Sequence, residues 1–194
     1  VLRQPVARII ANAETMRARL AGPLREEYCE YAGTIASAGQ HLAAMLDDLA
    51  DLEIVETPGF ATAREPVDLA DAANRAAGIL GVRAQNRDTV LVVEGERGAA
   101  IATAEFRRVL QILINLIGNA IKYAGGAEVS LVRGDGELLI LVRDQGPGIA
   151  ESQLEEVFKP FVRLDEARNT ESGSVGLGLA IARTLVHQHG GELS

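Results

Sequence analysis

Asn115, Asn119 and Lys122 fall at i, i+4 and i+7 in the stretch from Ala104 to Tyr123, so a helix there puts all three on one face. Carboxamides in an otherwise apolar helix cost free energy unless something satisfies them. Two of them in line with a lysine suit a polar, phosphate-rich ligand with its metal. A solvent-exposed stripe on an amphipathic helix would be written the same way. Asp144-Gln145-Gly146-Pro147-Gly148-Ile149 follows an apolar run. A carboxylate at that point can accept a hydrogen bond from an amine such as that of adenine, and a site built on that bond rejects guanine, which presents a carbonyl. The glycines let a ligand approach the backbone, although an ordinary tight turn shares the pattern. Gly173-Ser174-Val175-Gly176-Leu177-Gly178-Leu179-Ala180 is a glycine-rich turn opening a helix. Free amides and the positive end of a helix dipole favour phosphate there; close packing is the plain alternative. Between these lie Phe158-Lys159-Pro160-Phe161 and a polar stretch from Arg163 to Ser172. That stretch is rich in turn formers, so a mobile lid is expected. Its cations Arg163 and Arg168, with Lys159, could reach phosphates or belong to a solvated loop.

The elements that must position these groups are legible from periodicity. Apolar residues recur every seven positions as Leu2, Ile9, Met16 and as Val6, Ala13, Leu20, which predicts a first helix. Gly22-Pro23 interrupts it. A second helix follows, with Tyr28, Ile35, Leu42, Leu49 interleaved with Tyr31, Ala38, Met45, Leu52. Two such helices cannot bury their whole apolar surface against each other, so a homodimer with a four-helix bundle is expected; a monomeric hairpin packed on its neighbouring domain is the alternative. Thr57-Pro58-Gly59 marks a boundary. Beyond it the pattern predicts a short strand over 60–64, a helix capped by Asp68 and reaching about Gln85, a strand over 89–94 and an extended piece over 99–102. The helix from Ala104, a hairpin of 128–133 with 137–143 around Gly134-Asp135-Gly136, and a last helix over 175–189 complete an α+β sandwich with a mainly antiparallel sheet.

Composition narrows the function. A net charge of −8 argues against a nucleic-acid surface, and 47% apolar residues suffice for real cores. The lone Cys29 excludes an internal disulfide and suits a reducing compartment. No apolar run approaches the roughly 20 residues of a membrane span, and no signal-peptide pattern opens the chain. No nucleic-acid or membrane contact is expected, and the setting reads as cytoplasmic, within a larger sensor that could be membrane-anchored. The chain begins inside an apolar pattern and stops inside an expected strand, so it reads as a fragment.

Order and spacing bring these motifs together. The chain resembles the sensor histidine kinases of two-component signalling, which belong to an ATPase superfamily shared with gyrase and a heat-shock chaperone. Asn115-Leu-Ile-Gly-Asn119-Ala-Ile-Lys122-Tyr123 is similar to the family's N box, Asp144 to Ile149 to its first glycine box, Phe158 to Phe161 to its F box, and Gly176 to Leu179 to its second glycine box. The resemblance implies that Asp144 binds adenine, that Asn115 and Asn119 hold magnesium and phosphates, and that Lys122 and Tyr123 line the nucleotide pocket. Gly146, Gly148, Ile149, Phe161, Arg163, Gly176, Leu177, Gly178 and Leu179 complete the implied nucleotide-binding set, with the lid closing over the triphosphate. Ser174 stands where the common pattern has glycine. Asn115 stands where hydrolytic members of the superfamily place a water-activating glutamate, which favours phosphoryl transfer over hydrolysis.

Residues 1–56 resemble the family's dimerisation and histidine-phosphotransfer hairpin, and residues 60–194 its catalytic ATP-binding domain. Leu2-Arg3-Gln4-Pro5-Val6 is similar to the LRTPL part of the HELRTPL signature, which implies a phosphoacceptor histidine immediately before Val1. His41, within a segment similar to SGEHLL, and His187 and His189 at the end of the last helix, read as structural. Gln4 stands where the family commonly has a threonine that positions water for dephosphorylation, and Val1 where it has an acidic residue. The implied activity is ATP- and magnesium-dependent autophosphorylation on histidine. The phosphoryl group would then pass to an aspartate of a response-regulator receiver domain. The alternative is an ATP-binding pseudokinase acting as a dimeric scaffold, the reading that Val1 and Gln4 support.

Overall fold

The hairpin packs through its smallest side chains. In the computed structural model, which describes residues 2–56, 63–96, 98–134, 136–163 and 176–194, helices α1 (Arg3–Arg17) and α2 (Glu26–Glu56) run antiparallel. Val6, Ala13, Cys29, Ala32 and Ala36 are buried between them. Gly39 lies so close to α1 that a Cβ there would sit 2.7 Å from Ile10 Cγ1. Arg3 pairs with Asp47 at 2.8 Å near the open end. Near the turn, Arg19 donates to the Cys29 sulfur at 3.3 Å and to Glu26 at 2.6 Å. Those two bonds raise the Arg19 pKa, the one to Cys29 first. Pro5 sits in the first turn of α1, where its missing N–H costs little. The large heptad residues Leu2, Ile9, Met16, Tyr28, Ile35, Leu42 and Leu49 all remain exposed on this chain.

The second domain begins with β1 (Glu65–Asp68), paired antiparallel with β3 (Ile101–Ala104). Asp68 caps α3 (Leu69–Gln85), accepting from the Ala70 and Asp71 amides. Strands β2 (Val90–Glu94), β4 (Gly126–Arg133) and β5 (Leu138–Arg143) form a separate three-stranded sheet. Within it β2 and β4 are parallel, with Val92 opposite Glu128, while β4 and β5 are antiparallel, with Val129 opposite Val142. Helix α4 (Phe106–Ala124) lies on this sheet, its Leu113, Ile117 and Ile121 fully buried among Val129, Leu91 and Ile140. Helix α5 (Gly178–Gln188) packs on the other side of α4.

Several boundaries differ from the sequence pattern. The first strand pairs over 65–68, not 60–64; residues 63 and 64 are coil outside the ladder and 60–62 lie outside the described residues, as does the Thr57–Gly59 boundary. The extended piece expected over 99–102 pairs two residues later, because Leu69 N donates to Ala100 O and the ladder starts at Asp68 opposite Ile101. The sheet is mixed, since α4 carries the chain back so that β4 runs alongside β2 in the same direction. Residues 191–194 form no strand. Asp135, Val1 and most of the expected lid, with Arg168, Gly173, Ser174 and Val175, lie outside the described residues.

Candidate nucleotide site

Helix α4 is the beam of the site. At 100° per residue, Arg108, Gln111, Asn115, Asn119 and Lys122 fall within about 80° of arc. The apolar Leu113, Ile117 and Ile121 face the sheet, and Ile112 and Leu116 face α5. The helix ends at Gly125, whose φ of +65° suits a residue without a Cβ. Arg87 donates to the Lys122 carbonyl at 3.2 Å, satisfying a terminal acceptor. Lys122 Nζ donates to Tyr123 Oη at 2.8 Å and lies over the Tyr123 ring.

Two glycine segments converge on this helix. At its C-terminal end, Gly146 N–H donates to Asp144 Oδ1 at 2.8 Å. A Cβ on Gly146 would meet that oxygen at 3.0 Å and Ala124 Cβ at 3.1 Å, so the turn needs glycine to sit here. Asp144, Gly148 and Ile149 are exposed beyond it. About two and a half turns towards the N-terminus of α4 from there, Gly178 approaches Asn115: an added Cβ would come within 3.6 Å of its Cγ. Gly176 is held more tightly still: a Cβ would lie 2.5 Å from the Val162 carbonyl oxygen, and its φ is +79°. Phe161 N–H donates to Gly176 O at 3.1 Å, and Phe161 itself has φ +66°. A bulky residue in that region is strained by roughly 1–3 kcal/mol. The strain is held by the backbone pairing of 161–162 against 176.

The structure thus joins Asn115, Gly178, Gly176 and Phe161 directly, and Asp144 with Gly146 at the far end of the same helix. Asn119 and Lys122 share its polar face and are half-buried. Arg163 is exposed, and Leu179 half-buried in the first turn of α5. Leu177 differs from the rest of the expected set: its side chain is 1% exposed and packs with Ile112, Ile181 and Leu185, which leaves only its backbone for a ligand. Gln4, also a candidate, is exposed in the first turn of α1.

Arg183, Glu155 and Gln111 were not singled out from sequence, while His189 was read as structural. Arg183 of α5 lies 4.6 Å over the Phe158 ring and pairs with Glu155 at 3.1 Å, tying the short 3₁₀ turn Glu156–Phe158 to α5. His189 accepts the Glu105 N–H at Nε2 (3.1 Å) and meets Leu185 O at Nδ1 (2.7 Å), so its two partners require the tautomer protonated at Nδ1. It thereby satisfies the amide of the N-cap residue of α4, a structural role consistent with its place after α5. Gln111 donates to Asp51 of the hairpin at 2.6 Å. Extending the Asn115/Asn119 spacing one turn back would have flagged Gln111; nothing local pairs it with Asp51.

The donor set suits magnesium held mainly by phosphates. Among the described residues no group of three or more His, Cys, Asp and Glu is placed to hold a metal ion. Two neutral carboxamides on one helix face, beside glycines without side chains, match a cation that keeps few protein ligands and shares the charge of a polyphosphate. Among the described residues no helix is long and apolar enough to cross a membrane.

Comparison with known proteins gives a consistent result. Residues 104–194 match the family described as histidine kinase-, DNA gyrase B-, and HSP90-like ATPase, and residues 1–58 match the His Kinase A (phospho-acceptor) domain. The chain is 34% identical over 195 residues to histidine protein kinase DivJ of Caulobacter vibrioides, covering 99% of this chain and 32% of that protein. It is 35% identical over 209 residues to signal transduction histidine-protein kinase AfsQ2 of Streptomyces coelicolor, covering 100% of this chain and 37% of that one. It therefore spans about a third of the length of these relatives. Among solved structures, full-length ShkA in complex with AMPPNP aligns with TM-score 0.76 at 24% identity, covering 96% of this chain and 38% of that one. Mycobacterial sensor histidine kinase MprB aligns with TM-score 0.55 at 28% identity, over 66% of this chain and 80% of that one.

Proposed function

Because the chain belongs to the sensor histidine kinase family of two-component signalling, we propose that it is a kinase core that binds ATP with magnesium and phosphorylates a histidine. That histidine is the one expected just before Val1. The phosphoryl group then passes to an aspartate of a response-regulator receiver domain. Residues 1–56 act as the dimerisation and phosphotransfer hairpin and residues 60–194 as the ATP-binding domain. The exposed heptad stripe of α1 and α2 is covered by a second copy of the hairpin, completing a four-helix bundle.

The observation that carries this reading is the approach of Gly178 to Asn115, with Gly176 locked onto Phe161 and Val162. It supports the reading by bringing motifs some sixty residues apart together at the middle of α4. In this reading Asp144, oriented by the Gly146 amide, accepts from the adenine amine. Asn115 and Asn119 hold the phosphates and magnesium, which when bound neutralises charge on the phosphate oxygens. The amides at the start of α5 face the same phosphates. Lys122 and Tyr123 flank the nucleotide, and Gln4 is a candidate for orienting water in dephosphorylation. With an asparagine rather than a glutamate at position 115, no carboxylate there activates water, so positioning and electrostatics favour transfer to the imidazole.

The test is a chain extended upstream of Val1, incubated with γ-labelled ATP and magnesium. Acid-labile, base-stable label on the protein is the expected result. Normal ATP affinity without any label would sink the kinase assignment and leave a nucleotide-binding scaffold. Failure to bind ATP at all would remove both.

A further inference from the structure

The face of α4 that carries Asn115 and Asn119 does not end at the nucleotide site. One turn earlier, Gln111 Nε2 donates to Asp51 Oδ2 of α2 at 2.6 Å. Arg108 Nη1 donates to Gln111 Oε1 at 2.9 Å and lies 4.0 Å from Asp51 Oδ1. Arg108 is also 3.8 Å from Glu105, the residue preceding α4. Beside this polar chain, Leu52 of α2 is 7% exposed and lies in a cluster with Ile112, Leu177, Ile181 and Leu185. Leu177 is the residue between Gly176 and Gly178. One hairpin helix therefore bonds to α4 through Asp51 and, through the adjacent Leu52, shares an apolar cluster with Leu177 of the second glycine turn.

We propose that Asp51 and Leu52 are positioning residues for the nucleotide site: the Asp51–Gln111–Arg108 chain sets α4 and the Leu52 plug sets the Gly176–Gly178 turn. Loss of either contact is thereby read out as weaker nucleotide affinity. This rests on the nucleotide reading above. Neither Asp51 nor Leu52 belongs to the set expected to touch ATP, so their influence is exerted through α4 and the glycine turn. Coupling of this kind is reciprocal. Nucleotide that favours the gripped arrangement must in turn hold α2 against α4 and α5.

The experiment uses the whole chain and an ATP analogue with magnesium, with affinity read by calorimetry. Asp51→Ala should weaken binding about three- to tenfold, the range expected for one lost hydrogen bond. Asp51→Asn keeps an oxygen that accepts from Gln111 and should restore most of that affinity. Leu52→Ala should weaken binding independently. Amide exchange in α2 around Asp51 should slow when the analogue is added to the parent chain and slow less in Asp51→Ala. Thermal melts by circular dichroism check that the ATP-binding domain of each variant is folded. Parent affinity in both folded Asp51→Ala and Leu52→Ala would overturn the proposal. So would tighter binding in Asp51→Ala and Asp51→Asn alike, because the Asp51 charge would then oppose the phosphates rather than position their site. If Asp144→Asn has no effect on binding, the nucleotide reading fails instead, and the two failures are distinguishable.

Discussion

The hairpin seam is filled by Val6, Ala13, Ala32, Ala36 and Gly39, with Ile9, Ile35, Leu42 and Leu49 left outside. The ATP-binding domain is built the other way round, with Leu113, Ile117, Ile121, Val129, Leu177, Ile181 and Leu185 fully buried. Burying a large aliphatic side chain contributes about 1.5–3 kcal/mol, and alanine far less. Ordering a residue costs about 1–2 kcal/mol in either region. A hairpin with small residues inside thus holds its helices close but needs a second surface to be stable, whereas the sheet domain carries its own core. The difference separates an element whose large apolar side chains lie on its outside from one whose large apolar side chains fill its own core.

The comparison is broken most directly by charging the outer stripe. Ile35→Asp with Leu42→Asp should weaken self-association at least about 100-fold, since each carboxylate would have to be buried in the bundle. Sedimentation should find monomer where the proposed bundle makes the parent dimeric, while the melt of the ATP-binding domain is retained. A variant that stays dimeric would show that the stripe is not the interface. Leu113→Ala tests the other side. Its cavity beneath α4 should cost about 2–5 kcal/mol in denaturant unfolding followed by circular dichroism, without dissociating the dimer.

Gly39→Ala sharpens the point about small residues. Its Cβ would meet Ile10 Cγ1 at 2.7 Å, and the hairpin transition should lose about 1–3 kcal/mol. Combining it with Ile10→Ala, which removes Cγ1, should cost less than the two single losses added together if Ile10 is the obstacle. The smallest effect is expected at Asp48. Burial, then the neighbouring Asp51 and Asp47 carboxylates, hold its pKa above the ordinary value. An acid shifted this way favours the folded state while protonated, and that contribution is lost as pH rises through the folded pKa. Asp48→Asn should therefore raise the melting temperature slightly at neutral pH, and the advantage should vanish below the carboxylate range. An equal shift at every pH would point to packing instead of charge.

Helix spans were legible because each is written locally: the heptads of α1 and α2, Gly22-Pro23 between them, the Asp68 cap of α3, and the apolar stripe of α4. The strand at 65–68 was misplaced because its pairing partner β3 decides where the ladder starts, and four residues of alternation carry too little signal. The parallel pairing of β2 with β4 was equally invisible, being a consequence of how α4 returns across the sheet.

The sequence by itself determined which residue types meet the chemistry: carboxamides and a lysine on one helix face, an aspartate after a strand, and glycines where a side chain would intrude. Spacing and backbone sterics act over a few residues, so a pattern suffices to read them. Only the tertiary structure decided that Gly178 meets Asn115, that Leu177 turns inward, and that Asp51 reaches Gln111 across 60 positions of chain. Those contacts depend on how the volumes of α2, α4 and α5 fill one another, a property of the packed elements together that no single stretch encodes.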